Sequence, residues 1–143
     1  MKLKYARSGG WKGEENKVLS RNDALKLIYG LYSGDSGIFV IAGVGIDEEF
    51  NYVKRLARDS SKEIYIFQPD EKTAMRLRNL LKNYDNVQII EDYTFNCGKY
   101  LLRSSVERFY ALNIVNWKPQ RFLTLLKNIL DSVSESGKLV ISF

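Results

Sequence analysis

The sequence predicts an α/β domain with a single doubly wound, mainly parallel five-stranded sheet flanked by helices. Three observations carry this. Five short apolar, β-rich runs alternate with longer stretches of helical spacing. The run Ile38–Ala42 is apolar at every position, as in a strand covered on both faces. No repeat, low-complexity tract or linker follows residue 18, and 143 residues with 45% hydrophobic content suit one self-sufficient core.

In order along the chain, residues 1–18 form a basic N-terminal arm and residues 19–143 the α/β domain. Ser20-Arg21-Asn22-Asp23 has the pattern of a capping box with Asp in place of Glu. Ala24, Leu27, Ile28 and Leu31 then mark the inner face of a first helix. A turn cluster over 33–37 leads into the first strand, Ile38–Ala42. Gly43-Val44-Gly45 is a tight turn, and a helix follows over Asp47–Arg58 with Phe50, Val53 and Leu56 inward. Glu63–Phe67 is the second strand. A helix over Glu71–Asn83, started by Asp70, buries Ala74, Leu77, Leu81 and then Tyr84. Val87–Ile90 is the third strand, Phe95–Ser104 a shorter helix and Phe109–Val115 the fourth strand. Pro119 suits the first position of the last helix, whose inner face is Phe122, Leu125, Leu126, Ile129 and Val133. Gly137 ends that segment, and Lys138–Phe143 is the fifth strand.

Composition excludes several chemistries. There is no His, which removes Ser-His-Asp and Cys-His catalysis, His-ligated zinc and an imidazole base. The only Cys is Cys97, so no internal disulfide forms. No apolar run approaches the roughly 18–20 residues of a membrane span, and the first 17 residues have no apolar signal region. A cytoplasmic protein without membrane contact is the expectation. The net charge is +5, and most of it falls in residues 1–22, where Lys2, Lys4, Arg7, Lys12, Lys17 and Arg21 face only Glu14 and Glu15. This arm either contacts nucleic-acid phosphates, with Tyr5 and Trp11 available for stacking, or is a solvated tail.

In a doubly wound sheet the ligand crevice lies beyond the strand C-termini, at the switch point beside the first strand. Four segments fall there: 42–47, 68–70, 91–93 and Asn116-Trp117. Gly43 and Gly45 permit a close turn, but Glu48 stands where a dinucleotide fingerprint needs its third glycine. Asp47, Glu48 and Glu49 crowd the following helix start, where they would repel a pyrophosphate. A cationic or zwitterionic ligand would not be repelled.

From Ser20 to Phe143 the order of elements resembles class I, Rossmann-like S-adenosylmethionine-dependent methyltransferases. Residues 40–45 resemble the family's glycine-turn motif, 64–70 its second-strand motif, 86–92 its third-strand motif and 136–141 its glycine-then-strand element. The resemblance implies a Rossmann-like methyltransferase topology that lacks the last two strands. It implies S-adenosylmethionine as cofactor, with Gly43 and Gly45 at the methionine portion, Gln68 at the ribose and Asp92 at the adenine. The family's acid at the end of the first strand is Ile41 here, its third glycine is Asp47 and its ribose acid is Gln68. A carboxylate restored at position 68 is expected to tighten binding through charge-assisted hydrogen bonds.

The remaining candidates carry two readings each. Asp92 is an adenine ligand or a turn acid. Cys97 is a nucleophile or, without a preceding Pro, a buried thiol. Tyr93 and Trp117 stack on a base or pack at the crevice rim. Asn116 belongs to a degenerate amino-methyltransferase motif or to a plain loop before Pro119. No catalytic residue is designated, because a sulfonium supplies an already activated methyl and the protein's task is alignment and desolvation. Two functions follow: an S-adenosylmethionine-binding methyltransferase-like protein acting on nucleic acid or another acceptor, or a catalytically inactive scaffold of the same fold. The fifth strand has no later strand beside it, so its open edge leads to the expectation of a homodimer.

Overall fold

The computed structural model describes residues 2–6, 11–12, 18–30, 35–112 and 119–142. The five expected strands are β4 (Gly37–Ala42), β5 (Lys62–Phe67), β6 (Val87–Ile90), β7 (Val106–Ala111) and β8 (Val133–Ser142). All pair in parallel. A sixth strand, β1 (Lys2–Ala6), pairs in parallel with β8 over Lys2↔Lys138 to Ala6↔Ser142. The sheet order is β1-β8-β7-β4-β5-β6. A small antiparallel pair, β2 (Trp11–Lys12) with β3 (Val18–Leu19), stands apart from it. Part of the segment expected as an arm is therefore sheet. The β8 edge, whose openness suggested a second copy, is paired within the chain.

Both faces of the sheet are covered, which explains the uninterrupted apolar runs. On β4, Phe39 and Ile41 face one core, with Ile64, Ile66, Tyr110 and Val140. Helices α1 (Arg21–Gly30), α2 (Glu48–Ala57) and α3 (Glu71–Leu80) close that side through Ile28, Val53 and Leu77. Val40 and Ala42 face the other core, with Phe109, Ala111, Leu139 and Ile141. A 3-10 helix, Thr94–Lys99, and α4 (Pro119–Ser132) cover it through Cys97, Leu125 and Ile129.

Local chemistry sets the element boundaries. Ser20 Oγ accepts from the Asp23 amide at 3.1 Å and donates to its carboxylate at 2.9 Å, which starts α1. The inner face of α1 is Ala24, Leu25, Ile28 and Tyr29, while Leu27 is exposed. Tyr29 rotates that face because its ring stacks on Tyr110 at 5.0 Å between centroids. Leu31 lies outside the described residues. The expected helix over 95–104 is the 3-10 helix alone. Asn96 and Gly98 are poor α-formers, and the Tyr100 amide closes an i→i+3 bond to Cys97 O at 3.0 Å.

β7 starts at Val106, three residues before expectation, because Val106 already pairs with both Ile38 and Val133. β8 carries an irregularity: its pairing steps from Val106↔Val133 to Arg108↔Lys138. Residues 134–137 are accommodated there, so Gly137 serves a strand bulge rather than a helix end. A Cβ on Gly137 would lie 2.6 Å from Val106 O and 2.5 Å from Val133 Cγ1.

Candidate functional site

The chain runs β4, β5, β6 to one side and β7, β8 to the other, so the switch point lies between β4 and β7. At the β4 end the ladder continues one residue further: the Gly43 amide donates to Phe67 O at 2.8 Å. The same happens at β5, where the Gln68 amide donates to Ile90 O at 2.9 Å. The ends of three strands are thereby fixed side by side before the chain turns away.

Gly43 adopts φ +70°, the left-handed region that a side chain disfavours. No atom lies within 4 Å of where its Cβ would be, so that side of the turn is open to a ligand. Val44 is fully buried in the core of the α1–α3 face and pins the turn from below. At Gly45 a Cβ would meet only Asp47 Oδ2, at 4.0 Å. Asp47 caps α2, accepting from the Glu49 amide at 2.9 Å. Asp70 caps α3 as expected: its Oδ2 accepts from the Thr73 amide at 2.9 Å and the Thr73 hydroxyl at 2.6 Å. The Thr73 hydroxyl, then its amide, hold the Asp70 carboxyl below the usual carboxylate range.

Gln68 is 8% exposed and turns its amide inward. Nε2 donates to Val44 O at 2.8 Å, and Oε1 accepts from the Asp70 amide at 3.0 Å. Only this amide orientation satisfies both partners, one an acceptor and the other a donor. The side chain thus ties the glycine turn to the start of α3.

Asp92 is half-buried beyond β6. Its Oδ1 accepts from the Tyr93 amide and from Asn96 Nδ2, both at 2.7 Å, and Oδ2 accepts from the Tyr100 hydroxyl at 2.7 Å. These bonds, Asn96 first and Tyr100 second, hold its carboxyl low, and the Tyr100 hydroxyl is raised in return. Tyr93 is exposed and its ring stacks on Phe95 at 5.4 Å. Sequence reading missed Tyr100; the chain between it and Asp92 is a turn and a 3-10 helix, so no regular helix or strand pattern links the two residues.

The structure therefore brings Gly43, Gly45, Gln68 and Asp92 to the ends of adjacent strands. Asn116, Trp117 and Phe143 lie outside the described residues. Cys97 is buried, and burial pushes its thiol up to about 11, the opposite of an activated nucleophile. Among the described residues no cluster of three His, Cys, Asp or Glu is placed to hold a metal ion, and no helix is long and apolar enough to cross a membrane.

Comparison with known proteins agrees with this architecture. No family model and no curated protein sequence matches the chain. Solved structures do. One is a Streptococcus mutans protein assigned as a methyltransferase and determined in complex with SAH. It has a TM-score of 0.65 and 23% identity over 86% of this chain and 72% of that one. Another is an rRNA methylase from Streptococcus thermophilus, with a TM-score of 0.62 and 21% identity over 80% of this chain and 69% of that one. The cyclase SpnF reaches a TM-score of 0.69 at 13% identity, over 94% of this chain and 50% of that one. The chain has the fold of the class I S-adenosylmethionine-dependent methyltransferases.

Proposed function

We propose that the crevice at the ends of β4, β5 and β6 binds S-adenosylmethionine and that the domain acts as a methyltransferase. The observation that carries this is the Gly43 turn. It has positive φ, an open outer side, and a base fixed by buried Val44 at the centre of the sheet. The residues present fit the group on the methionine and adenine sides. Gly43 and Gly45 let the backbone approach the amino-acid portion, and the acids Asp47 and Glu48 at the α2 start suit a cationic sulfonium better than a pyrophosphate. Asp92 Oδ2 has acceptor capacity beyond its bond to Tyr100, which suits an adenine amine. When bound, the sulfonium supplies an activated methyl. The chain's own task is to hold that ligand in line and exclude water.

The acceptor that this reading favours is nucleic acid. The support is the cationic segment 1–22 and the likeness to an rRNA methylase. A second reading has its own support in Gln68, whose amide is committed to the backbone where a ribose ligand is expected. On that reading the fold is a scaffold and the cofactor site is lost; the cyclase match illustrates that one fold serves different chemistry.

Titration calorimetry decides between them. S-adenosylhomocysteine and S-adenosylmethionine are expected to bind, and ATP and NAD are not. Absence of heat with both adenosyl ligands at high micromolar protein refutes the methyltransferase reading and leaves the scaffold.

A further inference from the structure

We infer that the cavity between α1 and α2, at the end of the sheet opposite the glycine turn, is a binding site for a phosphate monoester, which Arg55 and Lys26 recognise. The site is separate from the crevice and does not depend on the cofactor reading.

The cavity has a volume of about 420 Å³, within the range of small-molecule sites. α1 lines it with Lys26, Tyr29 and Gly30, and α2 with Tyr52, Arg55 and Leu56. Asp59 and Lys62 close it where β5 begins. Lys62 and Phe67 are the two ends of β5, so about 16 Å of strand separates this cavity from the crevice.

The walls hold cationic donors that the fold does not use. Tyr110, Tyr29 and Tyr52 stack in a column, at 5.0 and 5.9 Å between successive centroids. The Arg55 guanidinium continues the column, 5.4 Å from the Tyr52 centroid. Tyr52 is itself anchored, because its hydroxyl donates to Asn22 Oδ1 at 2.7 Å. A guanidinium held over a ring keeps its N–H groups for an oxyanion, in the fork geometry that suits phosphate. Arg55 and Lys26 are both exposed, and among the described residues neither has a hydrogen-bond or ion-pair partner.

Charge selects the ligand class. Lys62 is fully buried and bonded to Asp59, so those two cancel. Lys26 and Arg55 then leave the lining at +2. A phosphate monoester carries roughly −1.5 to −2 near pH 7 and matches that charge, whereas a carboxylate brings half of it. Gly30 ends α1 and Leu56 lies in the last turn of α2, so both helices turn the negative ends of their dipoles toward the cavity. An anion is therefore held by side chains alone. Leu56 and the tyrosine rings offer apolar surface to the organic part of the ester.

The test is an amide NMR titration of the whole chain with phenyl phosphate, which carries no adenosine and so does not address the crevice. Saturable shifts at Gly30, Leu56 and Lys62 are expected, with a Kd below about 1 mM, and none at Gly43 or Asp92. Weaker binding, or equal shifts with phenol, overturns the inference. Arg55→Gln is expected to weaken phenyl phosphate about tenfold and Lys26→Gln about threefold, with unfolding midpoints at the wild-type value because both side chains are exposed. Undiminished affinity in either variant shows that the cation does not read the ligand and overturns the inference. Two further probes separate the sources of a monoester, glucose 6-phosphate for a free metabolite and a 5′-phosphorylated tetranucleotide for a strand end. Competition by either one supports the site. Equal competition by the 5′-hydroxyl tetranucleotide overturns it, because internal backbone phosphates would then be the ligand.

Discussion

The Tyr29 hydroxyl, carried by α1, donates to the Glu49 carboxylate in the first turn of α2, and both side chains are buried. The pair joins the helix that precedes β4 to the helix that follows the glycine turn. Tyr29 also stacks on Tyr52 at 5.9 Å, and the Tyr52 hydroxyl reaches back to Asn22 Oδ1 at 2.7 Å. Glu49 read as one more acid at a helix start; its partner gives it a structural role inside the molecule.

Tyr29→Phe is expected to cost about 1–3 kcal/mol, because it removes a donor from a buried carboxylate. The loss is measured by urea unfolding at neutral pH. Burial first, and the Glu49 charge second, raise the Tyr29 hydroxyl well above its ordinary value of 10.0. A group raised in the folded state contributes fully below its unfolded value and loses that contribution as the pH climbs past it. Wild type should therefore lose stability above about pH 10 more steeply than Tyr29→Phe. Parallel pH profiles would show that the pair carries no such linkage.

Asp59 and Lys62 make an asymmetric pair. The Lys62 ammonium is fully buried, bonded to Asp59 and 5.3 Å from the Phe39 ring centroid, whereas the Asp59 side chain is 44% exposed. Asp59→Asn strands a buried cation, while Lys62→Met leaves a carboxylate in water. The expected order of unfolding midpoints at pH 7 is Lys62→Met above Asp59→Asn. The bond from Lys62, then those from Ser61, hold the Asp59 carboxyl well below its ordinary 3.8. Its contribution is present above about pH 4 and is lost as the pH falls below that, so Asp59→Asn should flatten the acid limb of the stability profile.

Gly43→Ala and Gly137→Ala should separate site from fold. At Gly43 there is space for a methyl but φ is +70°, so the expected cost is about 1–2 kcal/mol of backbone strain with a distorted turn and weaker S-adenosylhomocysteine binding. At Gly137 the methyl runs into Val106 O and Val133. The β8 bulge must open, and the stability loss should exceed that of Gly43→Ala. Equal losses in thermal unfolding would contradict the close packing at the bulge.

Cys97 should resist a thiol reagent in the native protein at pH 8. Burial raises the thiol to about 11, so little thiolate forms and none of it is accessible. Labelling is expected only at the rate of unfolding, and rapid labelling without denaturant would place Cys97 at the surface.

Where a local pattern decided the structure, it was legible beforehand. The Ser20 and Asp70 caps, the Gly43-Val44-Gly45 turn and the apolar run Ile38–Ala42 each depend on residues a few positions apart. The parts that escaped depend on distant partners. Gln68 looked like a weakened ribose ligand because the carbonyl that claims it belongs to Val44, in a different loop. Leu27 looked inward because the spacing of α1 permits it, but the rings of Tyr110 and Tyr52 draw Tyr29 in instead. Lys2–Ala6 looked like an arm because its partner strand lies at the other end of the sequence.

That last pairing also orders events in time. As the chain is synthesised, Lys2–Ala6 emerges before every other strand of the sheet, yet the strand it pairs with, β8, is the last of those strands to appear. β4, β5, β6 and β7 can assemble with their helices while residues 2–6 wait. Closing so long a loop offers its reward only once β8 is docked beside β7. The edge strand is thus the final piece of the sheet to lock.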